Sequence, residues 1–185
     1  MALLHKHEGL ITAEDFARLP DPGPCELVQG RIIHLSPAQP LHGYYEGTIG
    51  IPLGNYARAS GRSRVLFGEA GLWTRRDPDT VRGADFVFIS QERWARRNPE
   101  GFLDVPPELV VEILSPDNRK GEVMEKLEEY LAMGVDLVWI VDPECRYVLA
   151  YHSMFEVERF EEGDLLVDEE ILPGFSLPVA EIFQE

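Results

Sequence analysis

The middle of the chain contains the stretch Pro107-Glu108-Leu109-Val110-Val111-Glu112-Ile113-Leu114-Ser115-Pro116. Its apolar and β-branched residues form a run of strand length between two prolines, which predicts a central, buried strand. Residues two apart in a strand face the same side, so Glu112 shares a side with Val110 and Leu114. A carboxylate on a core strand is costly unless it is paired. We therefore expect Glu112 to have a cationic side chain or a metal ion as its partner.

A helix is predicted directly after this strand. Ser115-Pro116-Asp117-Asn118 offers N-cap residues, and Gly134 ends the pattern, so the helix runs roughly to Met133. Lys126 lies at the edge of the apolar stripe of this helix, from where it can reach the sheet. The alternative is an exposed lysine that pairs with Glu122 one turn earlier.

Composition sets limits on the class of protein. The 185 residues predict a single domain spanning residues 1–185, with enough apolar content for a sizeable core. We find no apolar run of membrane-spanning length and no signal-peptide pattern at the start, so we expect a cytoplasmic protein without membrane contacts. Cys25 and Cys145 are too far apart to predict a disulfide framework or a zinc site.

The formal net charge of −16 argues against a protein that coats nucleic acid, because phosphate contacts need clustered Lys and Arg. The charge is uneven, however. Residues 56–100 contain nine arginines and six acids, a local balance of +3 that leaves −19 for the rest. An anionic ligand would approach through this middle segment, and scattered, solvated arginines are the alternative.

The other segments predict a mixture of helices and strands. A β-α-β unit around the central stretch requires a sheet that is at least partly parallel. In chain order we predict a short helix from Thr12 stopped by Pro20, a hairpin of 26–28 and 31–35 joined at Gln29-Gly30, a loop at 36–43, a kinked helix carrying Tyr45, Ile49, Leu53 and Tyr56, strands at 64–73 and 83–90, a short helix at 91–98, a buried strand at 136–142, and a C-terminal antiparallel meander of 146–151, 155–160 and 165–171.

Asp85 is a second acid at the mouth of a buried strand. Two strand-borne carboxylates and the backbone carbonyl of Ile113 could hold a hard cation such as Mg²⁺, with Glu26 as a third carboxylate. Lys126 would then orient a water molecule or stabilise the transition state. A buried ion pair without a metal explains the same residues, and spacing alone favours it.

Several stretches in fixed order resemble the Uma2 family of endonucleases, a branch of the PD-(D/E)XK, restriction-endonuclease-like superfamily. The resemblance covers nearly the whole chain. It rests on Cys25-Glu26-Leu27-Val28-Gln29-Gly30, Ser36-Pro37 with His42, Ala84-Asp85-Phe86-Val87-Phe88-Ile89, the central stretch 108–116, Lys126 to Tyr130, and Gly134-Val135 followed by Val138-Trp139-Ile140-Val141-Asp142-Pro143.

The resemblance implies an α/β fold with a mixed restriction-endonuclease-like sheet, flanking helices and cleavage of phosphodiesters with Mg²⁺ or Mn²⁺. It makes Asp85 and Glu112 the metal-binding acids and Glu26 an accessory acid. Two departures stand out: Ala84 replaces a proline, and Leu114 occupies the usual lysine position. Lys126 on the helix is similar to the lysine that the family uses instead.

Three more residues are candidates for a supporting role. Tyr130 and Glu122 flank Lys126 on the helix and could position it, with plain packing and a salt bridge as the alternative. His42 lies in the predicted loop and could assist proton transfer, although an ordinary structural hydrogen bond is the simpler expectation.

The functional expectation is a metal-dependent endonuclease that acts on nucleic acid, with DNA preferred to RNA. Arginines such as Arg75, Arg76 and Arg82 would bind phosphates. A homodimer would suit duplex cleavage. The alternative is a non-catalytic nucleic-acid or protein binding module that retains the nuclease fold, and the acidity of the chain favours it.

Overall fold

A computed structural model of the chain describes residues 9–115 and 120–184. None of the helices in these residues is long and apolar enough to cross a membrane. The elements are α1 (Ala13–Ala17), β1 (Cys25–Val28), β2 (Arg31–His34), α2 (Pro40–Ser60), β3 (Ser63–Arg75), β4 (Thr80–Ser90), α3 (Gln91–Arg96), β5 (Leu109–Ile113), α4 (Lys120–Met133), β6 (Leu137–Asp142), β7 (Tyr147–Ser153), β8 (Glu156–Glu161), β9 (Leu165–Leu166), β10 (Leu177–Pro178) and α5 (Val179–Ile182).

The main sheet is mixed and has eight strands. Its order is β2-β1-β4-β5-β6-β7-β8, with β3 paired to β4 outside this path. β5 and β6 are parallel and flank α4 in the chain, whereas the other neighbouring pairs are antiparallel. The predicted β-α-β unit and the predicted mixed α/β sheet with flanking helices are therefore confirmed.

β5 lies at the centre and is buried along its whole length. Leu109, Val111 and Ile113 pack in one core cluster with residues of α2 and α5, and Val110 packs in a second cluster with residues of α4. The two faces of the strand are thus covered by different helices, as the alternation predicted. Glu112 contacts α4 side chains, so it lies on the side of Val110.

α2 runs without interruption from Pro40 to Ser60, although it contains Pro52. Gly50 lets it approach the sheet closely, because a Cβ there would lie 2.4 Å from Cε1 of Phe67. The helix begins earlier than predicted, and the predicted loop ends before Pro40, a residue type that suits the first turn. His42 therefore lies in the first turn of a helix and not in a loop.

The β1–β2 hairpin turns at Gln29-Gly30, as predicted, and both residues have positive φ, as a two-residue hairpin turn requires. The meander is confirmed for β7 and β8. The strand predicted at 165–171 is wrong beyond Leu166, because Asp168 accepts the backbone N–H of Ile171 and turns the chain. The start of the helix predicted at 116–119 lies outside the described residues.

Candidate active site

Asp85 lies where β4 parts from β5. β4 pairs with β5 over Phe86–Phe88 and with β1 at Val81, so the strands diverge near Asp85. Its buried carboxylate accepts a hydrogen bond at Oδ2 from the backbone N–H of Ile113, at 2.6 Å. The acid on β4 is thereby fixed beside the residue that follows Glu112.

His42 on α2 contacts the other oxygen of Asp85, and Glu46, one turn further along α2, contacts His42. Nε2 of His42 lies 3.0 Å from Oδ1 of Asp85 and 3.4 Å from Oε1 of Glu46. The hydrogen bond to Asp85 raises the pKa of His42, although burial opposes this, and burial raises the pKa of Glu46. Without a metal, a protonated His42 can neutralise part of the charge of both carboxylates.

Among the residues that the structure describes, His42, Glu46 and Asp85 form the group that could hold a metal ion. Their ligand atoms all lie within 4.8 Å of one another. Carboxylate oxygens suit Mg²⁺ and Mn²⁺, while an imidazole nitrogen favours first-row transition ions. The donor set therefore fits a divalent cation. Glu46 was missed from the sequence, where its one signal was the four-residue spacing from His42.

Glu112 has the partners that its burial requires. Tyr130 donates its O–H to Oε1 of Glu112 at 2.6 Å, and Nζ of Lys126 lies 3.3 Å from Oε2. Burial raises the pKa of Glu112 to about 7; Lys126 and the Tyr130 hydrogen bond oppose the rise, whereas Asp85 adds to it. Glu112 is therefore poised between the carboxylate and the neutral acid near neutral pH.

Lys126 points from α4 towards the sheet. Its ammonium donates to the carbonyl oxygen of Gly83 at 3.0 Å and lies 2.9 Å from Oε1 of Glu26. Burial alone would lower the pKa of Lys126, but Glu112 and Glu26 raise it above its ordinary value. Glu122 is exposed, and no hydrogen bond or ion pair joins it to Lys126 within residues 9–115 and 120–184. The lysine thus reaches the sheet, and Glu122 lies away from the site.

Glu26 on β1 is buried, and both of its oxygens accept hydrogen bonds. Oε1 accepts the backbone N–H of Gly83 at 3.0 Å, and Oε2 accepts Nη1 of Arg82, also at 3.0 Å. Arg82 is buried as well, so the expectation that it binds a phosphate is wrong. The charge balance of the middle segment could not reveal this, because it counted Arg82 as a free cation.

Glu69 is a second acid that the sequence did not single out. It lies in a bulge of β3, has a φ of 57°, and its carboxylate covers Gly83, where a Cβ would lie 2.5 Å from Oε2. Loss of water around the carboxylate and the charge of Asp85 raise its pKa, although the residue as a whole is exposed. Bulges often redirect side chains beside active sites. The register shift that places Glu69 here leaves no sequence pattern.

The structure thus brings Asp85, Glu112, Lys126, Glu26 and Tyr130 to one end of the β4–β5 pair, and α2 adds His42. A model of the Uma2 family, described as "Putative restriction endonuclease", matches residues 13–180. The chain belongs to the Uma2 family. All the candidate residues of this Uma2 chain lie within the matched segment.

A solved structure has the same fold. The crystal structure of a putative nuclease belonging to DUF820 from Anabaena variabilis superposes with a TM-score of 0.78 at 23% identity, covering 94% of this Uma2 chain and 97% of that chain. No curated protein matches. The predicted family and the predicted restriction-endonuclease-like fold are confirmed.

Proposed function

We propose that this chain is a divalent-metal-dependent endonuclease that hydrolyses phosphodiester bonds of nucleic acid. The observation that carries the proposal is the position of the Lys126 ammonium, 3.3 Å from Glu112 on β5, while Asp85 lies on the neighbouring strand β4. Acids on two adjacent strands offer a seat for a cation. The ammonium beside them can stabilise the negative charge that develops on a phosphate.

Asp85 and Glu112 would hold Mg²⁺ or Mn²⁺, with the carbonyl of Ile113 as a further donor and Glu26 as an accessory acid. His42 and Glu46 extend this donor set on the side of α2. When bound, such a cation stabilises charge on the phosphate and lowers the pKa of a coordinated water.

The chain's own residues have separate tasks in this proposal. Lys126 keeps its proton, because its neighbours raise its pKa, so it acts as a fixed positive charge and not as a base. Tyr130 holds Oε1 of Glu112 and thereby sets the direction of the carboxylate. In the metal-free site, His42, held between two carboxylates, can accept or release a proton.

Several finer points belong to the same proposal. We propose a single domain over residues 1–185, a cytoplasmic location and a substrate that is DNA in preference to RNA. A homodimer would present two sites to the two strands of a duplex. Light scattering during size-exclusion chromatography would test the dimer, and a mass of 21.0 kDa would contradict it.

The alternative is a binding module that keeps the nuclease fold without cleavage. Two observations favour it. The net charge is −16. Of the arginines in the middle segment, Arg82 is bound by Glu26 and Glu129, and Arg93 by Glu108 and Asp136, so these cations are engaged within the protein.

Cleavage and binding of one labelled duplex, with Mg²⁺ or Mn²⁺ and at several salt concentrations, separate the two functions. Lys126→Ala should lower cleavage by about 10²-fold or more and change affinity little. Lys120→Ala, an exposed lysine on the same helix, is the matched control and should behave like the wild type.

Arg75→Ala should weaken binding and lower the salt dependence by about one unit of slope. If the wild type binds but never cuts, and Lys126→Ala differs from it only in affinity, the chain is a binding module.

A further inference from the structure

Arg82 is a buried cation that substrate binding does not explain. Its side chain is only 6% exposed, and three of its nitrogens donate to two carboxylates. Nη1 donates to Oε2 of Glu26 at 3.0 Å, while Nε and Nη2 donate to the two oxygens of Glu129 at 2.6 and 3.0 Å. The pair with Glu129 is bidentate, a geometry that arginine forms and lysine cannot.

Glu26 connects Arg82 to the candidate active site. One of its oxygens faces Arg82, and the other accepts both the N–H of Gly83 and the ammonium of Lys126. A carboxylate with three donors around it has little freedom to rotate. Its second oxygen is therefore aimed at Nζ of Lys126.

Arg82 also holds the helix that carries the lysine. Lys126 and Glu129 are three residues apart on α4, so they project from the same face of the helix. Arg82 binds Glu129 directly. It is connected to Lys126 only indirectly, through Glu26. Gly83, the next residue on β4, accepts a hydrogen bond from the same ammonium. These contacts hold β4 and α4 together beside the Lys126 side chain.

Three carboxylates surround the Arg82 guanidinium. Arg82 pairs with Glu26 and Glu129, and its Nη2 also lies 3.7 Å from Oε1 of the exposed Glu125. Buried ion pairs are weak evidence for stability, since burying the charges offsets most of the attraction. A role in fixing geometry accounts for them better.

We propose that Arg82 and Glu129 are positioning residues that hold Glu26, and through it the Lys126 ammonium, beside Glu112. The role in catalysis rests on the proposed function. Lysine has a flexible four-carbon side chain, and a misplacement of about 1 Å at a reacting centre can lower a rate by about 10²-fold. Glu26 then serves as the anchor of the lysine.

The first measurement does not depend on activity. The chain has three lysines, Lys6, Lys120 and Lys126, so selective ¹⁵N labelling gives a simple ammonium spectrum, which Lys126→Arg assigns. The buried, paired ammonium should show a slowly exchanging signal in the wild type. Glu129→Ala and Arg82→Gln should broaden or abolish it. Glu128→Ala, an exposed neighbour on α4, should leave it unchanged.

The second measurement is kinetic. Glu129→Ala should lower kcat by at least about tenfold while KM stays unchanged, because Glu129 bonds to Arg82 and acts on the lysine only indirectly. Glu129→Gln keeps an acceptor for Arg82 and should recover part of the rate. All rates are corrected for the folded fraction, measured by urea denaturation.

The outcomes are distinct. An unchanged Lys126 signal in Glu129→Ala overturns the positioning role, as does a fall in kcat that only follows the folded fraction. If the wild type cuts no substrate but the signal depends on Glu129 and Arg82, the nuclease function fails while the positioning of the ammonium holds.

Discussion

Glu112→Gln should change how the stability of the metal-free protein depends on pH. The wild-type carboxyl is 12% exposed and has a pKa raised from 4.5 to about 7, chiefly by burial. The folded state therefore favours the neutral acid. Its contribution to stability is fully present below about pH 4.5 and is lost as the pH rises through about 7.

The expected loss of stability follows from the interval between the ordinary pKa of 4.5 and the raised pKa of about 7. It spans roughly 2.5 pH units, and each unit corresponds to about 1.4 kcal/mol, so the wild type loses about 3 kcal/mol through this one group. Glutamine cannot ionise and avoids the loss. The free energy of unfolding of the variant, relative to that of the wild type, should thus rise by about 3 kcal/mol from acidic to mildly alkaline pH.

Urea denaturation in EDTA, followed by tryptophan fluorescence at about pH 4 and about pH 8, measures this difference. Glu128→Gln removes an exposed carboxylate from the same helix and should run parallel to the wild type. If the curves for Glu112→Gln and the wild type are also parallel, Glu112 does not titrate near neutral pH and the account of its environment is wrong.

Three further results are expected. Millimolar Mn²⁺ should raise the melting temperature of the wild type but not of Asp85→Asn, since an ion at about 100 times its Kd stabilises the folded state by about 2.7 kcal/mol; a shift of equal size in the variant would place the ion elsewhere. The affinity for Mn²⁺ should rise as the pH rises through the raised pKa of His42, because a proton and the metal compete for Nε2, and calorimetry that finds no such rise would exclude His42 as a ligand. Gly50→Ala should destabilise the protein by ~1–3 kcal/mol in urea, because the new Cβ would lie 2.4 Å from Phe67, whereas Gly47→Ala, with nothing within 4 Å of its Cβ, should be neutral or stabilising.

The central strand and the helix after it could be predicted because local rules govern them. The alternation in β5 placed Glu112 on the side of Val110 and Leu114, and the helical periodicity placed Lys126 within reach of the sheet. The meander was predicted less well near Asp168, where a side-chain acceptor competes with strand pairing. A propensity for strand does not reveal such a turn.

Only some residues of the candidate site could be predicted, because local sequence patterns reveal some of its residues and not others. Acids within buried strands are conspicuous, so the sequence singled out Asp85, Glu112 and Glu26 as candidates. The helix that carries Glu46 starts early enough to include His42, so their four-residue spacing acquired a meaning only in the structure, and Glu69 reaches the site through a bulge that leaves no pattern in the sequence. Arg82 was misjudged because its partner Glu129 lies far along the chain. Such pairings appear only once the fold brings β4 and α4 together.

In the proposed function, Asp85 would link the metal to the other acids of the site. Its charge adds to the rise in the pKa of Glu46, Glu69 and Glu112, each of which is raised mainly by burial. A cation bound to Asp85 would cancel this repulsion and lower all three pKa values together. The neighbouring acids would then lose protons as the metal enters, and their negative charge would strengthen its binding. In the proposed function, cation binding would therefore release protons and relieve the repulsion between these acids, and the neutralised site could then accept a phosphate.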